Sequence, residues 1–202
     1  MTNTTRRTKI ARMTLLALLV AVLIVLAYVN IPMPMGLSIT FNMIPVAIAV
    51  MAMGLPGGVI IGGAFGLISF LQCFGILGVS AMGAALVNVS PVLSFIQRFV
   101  TRLLVGILTA LVYKLTKDHM KPALSGAITG FCAAFFNTLL FMSALVLLFG
   151  HTDYMQNSMA GRGFLAYIIA SVGVNAVVEM IVAAVLTSAV SVALKKSGFI
   201  RN

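Results

Sequence analysis

Carboxylates are the scarcest chemically useful groups in this chain: its 202 residues include only Asp118, Asp153 and Glu179, against 13 Lys+Arg. Metal-dependent and phosphate-transferring enzymes draw their ligands and bases from such groups, so three scattered ones leave that chemistry without raw material. No catalytic residue, metal ligand or cofactor is expected. Charge of either sign is also scarce, 8% of the chain, where a soluble domain carries about 25%. From Met13 to Gln97 no charged residue occurs at all, 85 positions in a row. Cys73 and Cys132 both lie inside apolar stretches, without the spacing of a zinc site or a redox pair, and read as small hydrophobes. There is no Gly-x-x-x-x-Gly-Lys-Ser/Thr, no His-Glu-x-x-His and no Gly-x-Ser-x-Gly, so the chain has no phosphate loop of its own for ATP. His119 and His151 fall in separate loops and read as solvated residues.

What the chain has in abundance is apolar surface: 61% of it is hydrophobic, more than a water-soluble globule can bury. The solvent must itself be apolar, and the chain reads as an all-α integral membrane protein that crosses the bilayer several times. The net charge of +10 does not indicate nucleic acid, because the basic residues sit in short clusters between long uncharged runs instead of on one aromatic-studded surface. Those clusters are Arg6, Arg7, Lys9 and Arg12; Lys114, Lys117 and Lys121; and Lys195, Lys196 and Arg201. Positive loops are retained on the cytoplasmic side, which puts both termini and the middle loop inside and makes the number of crossings between clusters even. Two spans fit after Lys121, at about Pro122–Gly150 and Phe164–Leu194, joined by a polar outside loop around His151, Thr152, Asp153, Gln156 and Asn157. Four fit before Lys114: Met13–Val29, Ser38–Met53, Gly57–Phe74 and Pro91–Tyr113. Met13–Val29 follows basic residues as a secretory leader would, but lacks a small-residue cleavage pattern and is taken as the first span. The expected fold is a six-helix bundle forming one domain over residues 1–202. The Pro- and Gly-rich Ile31-Pro-Met-Pro-Met-Gly36 and Gly54-Leu-Pro-Gly-Gly58 punctuate it. Gly75–Ser90 forms an apolar outside connection suited to a re-entrant or gating loop.

Ionisable groups inside such spans cost at least about 2.5–3.5 kcal/mol each and need a partner or a purpose. Arg98 and Arg102 stand with Ser94 at every fourth position of the fourth span, hence on one face. Ser171, Asn175 and Glu179 do the same on the sixth, and Asn137 on the fifth joins them. Two stripes of opposite character are most cheaply placed facing one another or a shared wet cavity. Glu179 can neutralise one arginine, Arg98 or Arg102, and one positive charge is left over. A surplus guanidinium in a cavity open to the outside is suited to grip a carboxylate through paired N–H donors. Asn42, Gln72 and Asn88 fall at similar outer depth and rim the same cavity. Binding or transport is therefore the expected class of function.

Small residues at spacing four mark close helix contacts. Gly54, Gly58, Gly62 and Gly66 on the third span read as internal packing, whereas Ala17 and Ala21 on the first suit either an internal seam or a docking surface.

Six short spans in 202 residues with Ala17-x-x-x-Ala21 in the first resemble the substrate-binding S-components of energy-coupling factor (ECF) vitamin transporters of bacteria and archaea. The likeness covers the whole chain. It is densest through Leu37-Ser-Ile-Thr-Phe-Asn-Met-Ile-Pro45, Met53-Gly-Leu-Pro-Gly-Gly58 and Gly62-Gly-Ala-Phe-Gly-Leu-Ile-Ser69. With Asn88-Val-Ser-Pro91 and Arg102-Leu-Leu-Val-Gly106, it looks most like the pantothenate-type group. The departures are Asn42, where the group has another polar residue such as His, and the second arginine, Arg98.

The resemblance implies a high-affinity binder in the bacterial or archaeal cytoplasmic membrane. It would capture a small carboxylated vitamin at the outer face beneath the loops Ile31–Thr40 and Gly75–Ser90. Ala17 and Ala21 would face a helical coupling subunit driven by two cytoplasmic ATPases, and toppling of the binder within the membrane would deliver the substrate inward. Two alternatives stand beside pantothenate: another vitamin such as folate, biotin or riboflavin, and a stand-alone carrier in which Glu179 takes a proton.

Overall fold

Apolar runs punctuated by proline, glycine and serine become helices in the computed structural model, which describes residues 3–29, 31, 32, 38–159, 161 and 163–198. Helix α1 (Asn3–Tyr28) leads into a two-residue antiparallel pairing, β1 (Ile31–Pro32) with β2 (Ser38–Ile39). Then come α2 (Met43–Met53) and α3 (Leu55–Leu71, continued by a tight turn to Phe74), α4 (Ala81–Val89) and α5 (Pro91–Thr116). The chain ends with α6 (Pro122–Phe149), α7 (Asp153–Met159) and α8 (Phe164–Lys196). Pro56, Pro91 and Pro122 occupy the first turns of α3, α5 and α6, where a missing N–H costs nothing. Ser80 and Ser90 cap α4 and α5, accepting from the amides of Gly83 at 3.1 Å and Leu93 at 3.4 Å.

Among the described residues five helices are long and apolar enough to cross a bilayer: Lys9–Tyr28, Leu55–Phe74, Pro91–Thr116, Pro122–Phe149 and Asn175–Lys196. They bear out five of the expected spans and make this a multi-pass membrane protein. The second, expected over Ser38–Met53, is different. Its first residues are extended in β2, and its helix of 11 residues rises only about 16 Å, half the hydrocarbon thickness. Gly54, at φ 67°, ends it in a conformation that only glycine takes cheaply. Short as it is, α2 is the most enclosed element, with Val46, Ala47, Ala49 and Val50 fully buried. Val46, Ala47 and Ala49 share a core with Leu19, Leu23 and Ala27 of α1, Ile61 and Phe65 of α3, Val105 of α5, Ala133 and Ala134 of α6 and Ala183 of α8, and Val50 packs with Met51, Ala110 and Tyr113.

The connection expected as a loop over Gly75–Ser90 is ordered into α4, and the polar loop after α6 contains α7. Capping explains both, through Ser80 before α4 and Thr152 before α7, where Thr152 Oγ1 accepts from Met155 N at 3.4 Å. Met82, Leu86, Met142, Leu145, Phe149 and Met155 pack the two short helices onto α6. The residues 33–37 within the Ile31–Gly36 punctuation, the side chains of Arg6, Arg7 and Ser171, and Arg201 lie outside the described residues.

Lipid is as apolar as leucine, so helix association here rests on close backbone approach. A Cβ at Gly58 would meet the carbonyl of Gly106, and one at Gly62 or Gly66 the backbone of Arg102 or Phe99, so α3 and α5 touch almost without side chains. The internal-packing reading holds for these three glycines; Gly54 is instead the turn residue, with nothing near its missing Cβ. On the opposite side, Thr187 Oγ1 donates to Gly126 O at 2.8 Å and Ser191 Oγ to Pro122 O at 2.7 Å, zipping α8 to α6. Gly58→Ala should therefore lower the melting temperature in detergent, at a cost of about 1–3 kcal/mol. Gly63→Ala, whose Cβ would make only an ordinary contact with Leu103, should hold or raise it by relieving backbone entropy, about 0.5–1 kcal/mol. Equal losses in a thermal-shift assay would refute the close α3–α5 contact.

Candidate functional site

The arginine-bearing helix α5 is not a uniform α-helix: Ile96–Val100 forms a π turn. A π turn widens the helix and shifts the register of the residues beyond it, and such bulges recur at functional sites. Around it five polar residues are buried together, Ser94, Gln97, Arg98, Thr101 and Arg102, where the four-residue stripe named three; Gln97 and Thr101 fall on the same face by i+3 and i+7 spacing from Ser94. The Gln97 carbonyl accepts from Thr101 Oγ1 at 2.6 Å and from Arg102 Nη1 at 3.2 Å, and Arg102 Nη1 also reaches Thr101 Oγ1 at 3.1 Å. Phe65 of α3 and Phe141 of α6 offer ring faces to the Arg102 guanidinium, with centroids 5.4 and 4.5 Å from Cζ. Ring quadrupoles that stabilise a desolvated cation contribute about 2 kcal/mol or more. Arg98 lies 5.3 Å from the same Phe141 ring and donates to Ser69 Oγ at 3.4 Å and Ser80 Oγ at 3.1 Å. Both arginines are 6% exposed, which shows that neither escapes to water.

Glu179 of α8 has a different partner from the one expected. Its carboxylate accepts the backbone N–H of Thr40 at 2.7 Å and makes no ion pair with Arg98 or Arg102 among the described residues. The physical reason is the hairpin between α1 and α2: β2 runs in beside α8 and presents an amide that would otherwise go unbonded. Asn42, two residues on, and Asn175, one turn before Glu179, share this side of the site. Both carry a buried Oδ1 that has no hydrogen-bond partner among the described residues. So do Arg102 Nε, Ser94 Oγ and both polar atoms of the fully buried Gln97 amide. Each such group costs about 1–3 kcal/mol if it stays unpaired. A small polar ligand bearing both donors and acceptors, with an anionic end for the guanidinium, would complete the set.

The remaining expected residues are distributed more widely. Gln72 and Asn88 do come together, lining a pocket of about 540 Å³ with Cys73, Phe74, Val79 and Pro91 at the end of α3 and along α4. Gln72 is already engaged, its Nε2 donating to Ala27 O at 3.1 Å and so fastening α3 to the end of α1. Asn88 is exposed and Asn137 half-buried. Ala17 and Ala21 are exposed on α1, opposite the buried Leu19, Leu23 and Ala27, so they do not form an internal seam of this chain. Sequence reasoning missed Gln97, Thr101, Phe65, Phe141, Ser69 and Ser80. Periodicity cannot reveal a π turn, and a phenylalanine that stacks on a cation has the same signature as one that faces lipid.

The Lactococcus lactis subsp. cremoris (strain MG1363) pantothenic acid transporter PanT is 33% identical over 100 residues, 49% of this chain and 45% of that protein, so the match spans about half of either. The family described as "ECF transporter, substrate-specific component" matches residues 11–191. With that match running from α1 to the end of α8, the chain belongs to the substrate-specific components of ECF transporters.

Proposed function

We propose that this chain is the high-affinity, membrane-embedded binding subunit of an ECF-type importer for a small carboxylated vitamin, and that the vitamin is pantothenate. The observation that carries the reading is Arg102: a buried guanidinium against the rings of Phe65 and Phe141, whose Nε has no hydrogen-bond partner among the described residues and which does not pair with Glu179. Such a group is preorganised for a carboxylate. Pantothenate adds an amide and hydroxyls, which suit the amides of Asn42, Asn137 and Asn175 as further contacts, with Gln72 and Asn88 toward α4 and Glu179 holding the hairpin. The likeness to the Lactococcus pantothenic acid transporter supports this cargo.

In this reading the whole chain, 1–202, is one domain crossing the bacterial or archaeal cytoplasmic membrane six times, with both termini inside. The short α2 completes the even count that the basic clusters require. Energy comes from a coupling subunit and two cytoplasmic ATPases, and the exposed Ala17 and Ala21 form the contact with the coupling subunit, where small side chains let helices approach closely.

Calorimetry on the detergent-solubilised chain against pantothenate, folate, biotin and riboflavin tests the substrate. Tight binding of pantothenate alone is expected; binding of another vitamin alone, or of none, overturns the assignment. Arg102→Gln should weaken pantothenate binding about 30-fold or more, because truncating one side of a buried charged contact costs about 2–5 kcal/mol. Parental affinity in a folded variant would remove Arg102 from the site. Ala17→Trp combined with Ala21→Trp should keep binding and abolish uptake in cells that carry the coupling subunit and ATPases. Uptake by proteoliposomes holding the parent chain alone would instead identify a stand-alone carrier.

A further inference from the structure

We propose that Arg98 is a positioning residue, the latch that holds the segment between α3 and α5 closed over the site, leaving Arg102 as the carboxylate anchor. Its two terminal nitrogens are committed to hydroxyls: Nη1 to Ser69 on α3, Nη2 to Ser80 at the start of α4. Ser80 is the N-cap of α4, its Oγ also receiving the Gly83 amide at 3.1 Å, while its own N–H goes to Gln72 O at 3.2 Å. The hydroxyl thus joins the first turn of α4 to a buried cation on α5. The fit is close: a Cβ at Gly83 would sit 3.1 Å from Arg98 Nη2 and 2.7 Å from Cys73 Sγ.

The turn leading to Ser80 has reason to open when this fastening is lost. Gly75 and Gly78 have φ of 76° and 105°, and Leu77, a residue with a side chain, is held at φ 60°. A non-glycine residue persists there only when its surroundings impose it. For Leu77 those surroundings are packing against the central core and the Arg98–Ser80 bond three residues on. Arg98 also shares the Phe141 ring with Arg102, so the closure and the anchor rest on one side chain.

The consequence for retention of substrate rests on the function proposed above; the latch itself does not. Amide hydrogen exchange on the ligand-free full chain, with release of radiolabelled pantothenate as the second readout, tests both. Ser80→Ala should speed exchange at residues 81–84 about fivefold, the loss expected when a cap is removed, and Arg98→Gln should speed it in the same direction by unfastening the capping hydroxyl. Asp caps a helix as well as Ser does, and in Ser80→Asp its charge-assisted bond to Arg98 is about twice as strong. Pantothenate release from Ser80→Asp should be several-fold slower than from the parent, and the slowing should vanish when Arg98→Gln is added. Parental exchange in Arg98→Gln overturns the latch. Equal effects of Ser80→Asp with and without Arg98 reduce Ser80 to a helix cap and also overturn it. If the parent binds no pantothenate, the substrate assignment fails and the exchange result still decides the latch.

Discussion

A guanidinium that cannot reach water must be satisfied by what surrounds it, and this chain buries two, one helical turn apart, inside a bundle made for lipid. Each costs at least about 2.5–3.5 kcal/mol to insert. The solution uses neutral groups from four directions. The π turn of α5 contributes the Gln97 carbonyl and the Thr101 hydroxyl, α3 contributes Ser69 and Phe65, the segment before α4 contributes Ser80, and α6 contributes Phe141. Among the described residues these partners carry no charge, so they stabilise the cations without cancelling them.

That arrangement depends on spacing between helices. Serine is short, so Ser69 reaches Arg98 only if α3 and α5 lie nearly in backbone contact, and the Gly58–Gly106 approach makes them do so. On the far side Thr187 and Ser191 spend their hydroxyls on carbonyls of α6, which fixes α6, and with it Phe141, against α8. Packing and polar chemistry are one problem here: the same small residues that bring helices together set the reach of the groups that solvate the arginines.

Glu179 shows how opposite charges can be kept apart in one membrane interior. Its acceptor is spent on the Thr40 amide, tying the β-hairpin to α8, while the cations are solvated by hydroxyls, a carbonyl and aromatic faces on α3, α5 and α6. The arginine cluster keeps its positive charge because the carboxylate in the same interior bonds elsewhere. The exposed Ala17 and Ala21 lie on the outer face of α1, away from all of this chemistry.

Composition alone determined that this protein lives in a membrane, because 85 uncharged residues in succession have no other solvent. Proline, glycine and serine positions marked most helix starts and stops, and four-residue spacing put Arg98 and Arg102 on a buried face. These are local properties, carried by residues near one another in the chain. Tertiary structure decided the rest. Gln97 and Thr101 share the arginine face by ordinary i+3 and i+7 spacing from Ser94, but only the folded π turn shows that the Gln97 carbonyl and the Thr101 hydroxyl are what Arg102 bonds. The β-hairpin shortened α2 and took Glu179 for a backbone amide, 139 residues away in sequence. The partners of the two guanidiniums come from helices brought together by glycine contacts: the spacing marked Gly58, Gly62 and Gly66 of α3, but only the fold shows that they meet α5 at Gly106, Arg102 and Phe99. A buried charge states in the sequence that it needs partners; which partners it has depends on the packing of the whole bundle.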